Sequence, residues 1–362
     1  MNLKKIAVVM FAVILTASLF LAGCAQDKKA LEKEEGAPET ITITDQFGRE
    51  VTVPKEINRV IAYGPPVLRD VVILGSADKV VGTDEHSVEH AVHGTCFYVY
   101  AHPELADLPI VGVSREPNME AMVVLKPDII FNFESWVDSD LIQEQTGIPT
   151  IGLIGVEDWN AADFHKSYEP LRIIAKVLGK EDRAEWLISY VEDKLDRIRE
   201  IIDQIPQEEK PRVYALIAHG ISSAAVYAPV EWAGGYNVAE EYLREHDLQY
   251  AEIDPEYVLH LDPDVIFLGG TVDELIEAHP GLEATSAVKK GQVYQLFGPS
   301  VKRELIQVVA ETYYIAKILH PDLFQDLDVE KEANKMFKEV YGVDDLYNKV
   351  QEARGRELYR WE

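Results

Sequence analysis

Two stretches of this chain are close copies of each other. "MEAMVVLKPDIIF" at residues 119–131 aligns without a gap on "PEYVLHLDPDVIF" at residues 255–267. They share a Glu (Glu120, Glu256), a Leu five positions on (Leu125, Leu261), a Pro-Asp pair (Pro127-Asp128, Pro263-Asp264) and an apolar triplet ending in Phe. In each copy the Glu stands where a carboxylate favours the amino end of a short helix, and the Leu packs in the turn. Pro-Asp stops the helix, and IIF or VIF has the unbroken apolar run of a buried parallel strand. A chain that repeats one helix-turn-strand unit has two like bodies to put it in. The plainer reading is that these residues are ordinary α/β punctuation and carry no function of their own.

The flanking sequence supports two bodies. "ITITDQFGREVTV" (residues 41–53) alternates apolar and polar positions around a Gly-containing turn, which predicts a hairpin. From Arg59 onward, β-branched runs at residues 60–61, 80–81, 110–111, 129–131 and 151–152 alternate with helical patterns, and the grammar returns at 213–217, 265–268 and 293–296. Between the two sets, apolar residues at 184, 187, 188, 191, 195, 198, 202 and 205 mark one amphipathic helix over 182–205, stopped by Pro206. Such a rod is roughly 35 Å long, enough to join two lobes. The expected fold class is therefore α/β, with two doubly wound lobes joined by one long helix. The boundaries are a first lobe at 41–165, a connecting helical region at 166–206, a second lobe at 207–323 and an acidic helical extension at 324–362, packed as an appendage.

The amino terminus predicts export. Lys4-Lys5, an apolar run at residues 6–21 and the small-residue site Leu21-Ala22-Gly23-Cys24 follow the order of a signal peptide over 1–23, with Cys24 as the residue that takes a lipid. The run could instead stay as a single membrane anchor, and either way the globular part faces outward. Residues 24–40 read as a solvated tether. The only other cysteine is Cys96, so lipidation of Cys24 leaves no intrachain disulfide. A formal net charge of -28 argues against nucleic acid as a partner.

In open α/β sheets ligands gather beyond the carboxyl ends of the strands. The loops there are residues 63–66, 83–86, 112–115, 133–136, 218–220, 269–270 and 297–300. They nominate Tyr63, Arg115, Trp136, His219 and Phe297 as ligand contacts, with Trp232 and Arg303 nearby. Aromatic faces suit a macrocycle or catechol, and Arg suits a carboxylate or an anionic chelate. The segment "DEHSVEHAVHGTCFYVY" places His86, Glu89, His90 and His93 at helical spacings, so direct metal binding, led by His86 and His90, is an alternative. Its plainer reading is a polar helix at the cleft edge. Enzyme chemistry of the hydrolase or chelatase kind lacks support, since no Gly-x-Ser-x-Gly, P-loop or Gly-x-Gly-x-x-Gly occurs and no residue is nominated as catalytic.

From about residue 41 to 323 the ordered segments "ITITDQFGREVTVP", "RVIAYGP", "VLKPDIIF", "TGIPTIGL", "LGKEDRAEWL", "AGGYNVAEE", "DPEYVLHLDPDVIF" and "AVKKGQVYQL" resemble the substrate-binding lipoproteins of iron-siderophore, haem and cobalamin ABC importers. The resemblance implies a class III periplasmic-binding-protein-like fold and a monomer that holds a metal chelate between its lobes without an intrinsic cofactor. It also implies delivery to a permease dimer with a cytoplasmic ATPase, with Glu120 and Glu256 docking to permease arginines, one per lobe. After "YGPP" the chain reads Val67-Leu68-Arg69-Asp70, a departure from many relatives. Arg69 there either adds positive charge to the pocket or pairs with Asp70.

Overall fold

Among the described residues, eight short segments, most of them apolar, form the parallel strands of two separate sheets. The computed structural model describes residues 39–92, 97–154, 161–216, 221–296 and 304–353. One sheet contains Val60–Tyr63, Val80–Thr83, Ile129–Phe133 and Thr150–Leu153; the other contains Arg212–Leu216, Tyr236–Asn237, Val265–Leu268 and Val293–Gln295. In both, the chain's second strand lies at one edge, followed by the first, the third and the fourth. Val60 pairs with Ile129 and Val213 with Val265, so the third strand of each lobe returns to lie beside the first. The expected hairpin forms from Thr40–Thr44 and Glu50–Pro54, while residues 110–111 contribute an isolated bridge between Thr83 and Ile110.

Side chains alternate across these strands, and each sheet uses its two faces differently. Val60, Ala62, Phe131, Val213, Ala215 and Phe267 enter one core common to both lobes. Ile61, Tyr63 and Ile130 enter a smaller outer core of the first lobe, and Tyr214, Leu216 and Ile266 one of the second. Both faces are thus covered, which is why the strands read as continuous apolar runs.

The common core is organised by the long helix, which spans Glu181–Ile202 and buries Ala184, Leu187, Ile188, Val191, Leu195, Ile198 and Ile202. It stops three residues short of the expected 205, where residues 203–205 form a turn ahead of Pro206. The C-terminal segment is no appendage on one lobe. It forms two helices, Val329–Tyr341 and Leu346–Ala353, separated at Gly342. The first of them lies alongside the long helix, and both reach the first lobe. The Phe337 ring stacks on Phe97 at 4.0 Å, the Arg183 guanidinium donates to the Val340 carbonyl at 2.6 Å, and Lys194 pairs with Glu332.

Both Phe97 and Phe337 are fully buried. Phe337→Ala is expected to cost about 3–5 kcal/mol, as large-to-small changes in closed cores do. Urea denaturation measures it, and a loss below about 1 kcal/mol would show that the C-terminal helices fold independently of the common core.

Candidate functional site

The repeated unit is the crossover that returns each chain segment to the sheet centre, and the structure explains its residues. Asn118 caps the helix Met119–Val124 by accepting from the Ala121 amide, and Asp254 caps Pro255–Leu261 by accepting from the Glu256 amide. After the Leu, Lys126 and Asp262 both adopt left-handed backbone, with φ of 48° and 41°. The next carboxylates pin the first strand. Asp128 accepts from the Asn58 and Arg59 amides at 2.7 and 2.8 Å, and Asp264 accepts from the Arg212 amide at 3.1 Å. The arginines reciprocate, Arg59 donating to the Leu125 carbonyl at 2.7 Å and Arg212 to that of Leu261 at 2.8 Å. "RVIAY" and "RVYAL", each an Arg-Val opening the first strand of its sheet ahead of a repeat, are the signal for this clamp in the sequence.

The Glu of each repeat takes no part in the clamp. Glu120 and Glu256 occupy the second helical position of their helices and are exposed. Each helix runs back along the strand that it feeds, so these carboxylates lie toward the carboxyl edge of their sheet, the edge where ligand loops gather.

In the first lobe that edge is described in detail. Gly64 follows the first strand at φ 113°, where a Cβ would sit 2.5 Å from that of Phe133, so only glycine fits. Its amide donates to Asp84 Oδ2 at 2.7 Å, and the fully buried Asp84 carboxylate also accepts from the Ser87 amide and hydroxyl. Burial raises the Asp84 pKa above the ordinary 3.8, and these hydrogen bonds offset part of the rise. Trp136 brings three candidates together, its ring meeting Tyr63 edge-on at 6.3 Å and His86 at 5.6 Å, with Phe133 behind. The Trp136 loop is held from below, where Glu134 accepts from the Ser139 amide and Asn132 donates to the Val137 carbonyl at 2.7 Å.

Arg115 is exposed at the turn of a small hairpin, Gly112–Val113 with Glu116–Pro117. Tyr63 lies beneath that hairpin and is buried rather than lining an open surface. Trp232 is a core residue, its ring edge-on to Phe164 at 5.1 Å and beneath the Arg199 guanidinium. Arg69 is buried and paired with Asp70, with contacts of 2.8 and 2.9 Å, and the pair lines a small cavity with Pro66, Phe133 and Leu153. His219, Phe297, Arg303, Cys24 and the His90 side chain lie outside the described residues, as do His93 and Cys96. Among the described residues, no three His, Cys, Asp or Glu side chains are placed to hold a metal ion. An open basin of about 370 Å³ beside Lys210, Tyr236 and Glu240 is at the amino edge of the second sheet, away from these loops.

Residues 60–298 match the model of a family described as periplasmic binding protein. The chain belongs to that family. It is 24% identical over 326 residues to the uncharacterized ABC transporter substrate-binding lipoprotein YvrC of Bacillus subtilis, covering 87% of this chain and 98% of that protein. It is 23% identical to the molybdate-binding protein MolA of Haemophilus influenzae, covering 83% and 90% of the two chains. Other relatives are named for Fe(3+)-citrate, cobalamin and siderophore binding. A periplasmic solute-binding protein of Veillonella parvula superposes with a TM-score of 0.71 at 20% identity, covering 89% of this chain and all of that one. The fold is thus the two-lobed α/β architecture of substrate-binding proteins, and the protein is a binding component of ABC transport, not an enzyme.

Because the folded pKa of Asp84 is raised, the folded protein keeps a proton that the unfolded chain has already released just above pH 3.8. Stability therefore falls as pH rises from the unfolded to the folded pKa. Asp84→Asn should remove that contribution, so its melting temperature should fall less, or rise more, than wild type's as the pH is raised above 3.8. Parallel pH profiles for the two proteins would show the group to be unperturbed.

Proposed function

We propose that this chain is the lipid-anchored, extracytoplasmic receptor of an ABC importer for a metal chelate, held between the carboxyl edges of the two sheets. Among the described residues, no helix is long and apolar enough to cross a membrane. Cys24 is the lipid attachment point in this reading, and the signal peptide ends at Gly23. The observation that carries it is the agreement of strand order in two lobes built on one core, within a family whose named relatives bind metal-containing solutes. Aromatic Trp136 and Tyr63, exposed Arg115 and the segments around His219 and Phe297 are the proposed ligand surroundings. Selectivity then lies in a largely preformed cleft, since a shared core opposes large lobe movements.

Glu120 and Glu256 are proposed to dock to arginines of the two permease subunits. A carboxylate-guanidinium contact is directional and contributes registry and encounter rate more than affinity. That both are exposed and outside the clamp supports the assignment, because neither is needed by the fold.

The direct test is a thermal-shift panel of ferric citrate, a ferric hydroxamate, haemin, cyanocobalamin, molybdate and free iron, nickel and zinc ions. A bound chelate at a hundredfold excess over Kd stabilises by about 2.7 kcal/mol and raises the melting temperature. A response to free ions alone would transfer the site to the His86 helix. In vesicles carrying the cognate permease, Glu120→Ala with Glu256→Ala should lower uptake about tenfold with ligand affinity unchanged. Loss of affinity instead would place those carboxylates in the pocket or the fold.

A further inference from the structure

The Tyr63 hydroxyl is a feature that the fold does not require. Its ring fills the outer core of the first lobe with Val111, Met122 and Ile130, yet its oxygen is buried with no hydrogen-bond partner among the described residues. Two other core tyrosines that end no strand at this edge are paired: Tyr214 donates to the Ile221 carbonyl at 2.7 Å and Tyr98 to that of Ser87 at 2.8 Å. Tyr190 shares the lack of a partner but belongs to the long helix, whereas Tyr63 ends a parallel strand at the ligand edge. An unpaired buried donor lowers stability by more than a made hydrogen bond adds, so phenylalanine would fill this space at lower cost. The second lobe does that: aligning Arg59 on Arg212 sets Leu216 at the position of Tyr63.

What covers the hydroxyl is equally specific. Gly112, at φ 147°, roofs it so closely that a Cβ there would sit 2.6 Å from the tyrosine oxygen. The roof is a hairpin of two residue pairs, with Ser114 in left-handed backbone and Arg115 exposed at its turn. Glycine at this position brings backbone onto the hydroxyl but gives it no acceptor.

We propose that Tyr63 is the ligand's hydrogen-bond donor in the first lobe, and that the hairpin of residues 112–117 yields its place above the hydroxyl to an acceptor oxygen of the bound chelate. This rests on the receptor reading above and narrows it. The ligand is a chelate that presents a carboxylate, hydroxamate or amide oxygen outward, with its metal already saturated, rather than a metal with an open position for a phenolate. Burial, with the Asp84 and Glu116 carboxylates nearby, raises the Tyr63 pKa, so at neutral pH the group is a phenol that donates. Placing an unsatisfied donor where a ligand will satisfy it exchanges stability for affinity, as binding sites do.

The test is Tyr63→Phe in the full chain, with ferric citrate, a ferric tris-hydroxamate, cyanocobalamin and haemin as probes. The variant without probe should melt higher than wild type by roughly 2 °C or more. For a probe that wild type binds, its Kd should rise tenfold or more. Wild type mixed with the iron probes should show no visible phenolate-to-iron charge-transfer band. A lower melting temperature, an unchanged Kd, or such a band that vanishes in the variant would each overturn the donor role. If wild type binds none of the probes, the receptor reading fails as well, which separates that failure from a variant that binds as wild type does.

Discussion

Everything in this molecule hangs on one core shared by two sheets. Alternation along the strands sends Val60, Ala62, Val213 and Ala215 to the same apolar interior, where the long helix and the C-terminal helices meet them. Neither sheet could remain buried on both faces without the other lobe's contribution to that interior. The consequence for function is geometric: the carboxyl edges of the two sheets are held in a fixed relation by packing, so a ligand between them meets prearranged surfaces.

Within each lobe, a smaller constraint places the working residues. The Asp128 and Asp264 clamps tie the third strand to the first, and the helix leading into that strand is positioned by the same turn. The exposed Glu of each repeat is carried to the ligand edge by a unit whose other shared residues serve the fold. Fold and docking proposal are therefore separable in the repeat: Leu, Pro and Asp explain the turn, and the Glu is left over.

Much of this was legible beforehand. The strands, the hairpin and the long helix followed from period and composition, because apolar runs and 3.6-residue spacing report directly on burial. The two-residue edge strand Tyr236–Asn237 was not legible, since a pair of residues carries no period and its strand character comes only from the Arg212–Val213 backbone beside it. The separation of the C-terminal helices at Gly342 was also missed in an otherwise helical pattern. Arg69 showed the limit for charged groups. Sequence offered a pocket cation or a pair with Asp70, and only the surrounding burial made the pair the outcome.

By itself, the sequence determined that there are two like α/β bodies, a long helix between them and a matched carboxylate on each, because these are properties of local pattern and repetition. Tertiary structure alone decided that the C-terminal helices bind the lobes together, that Trp232 belongs to the core, and that Tyr63 is roofed by Gly112 with its hydroxyl unpaired. Those facts depend on which distant segments meet, and contact between residues far apart in the chain leaves no periodic trace in the sequence.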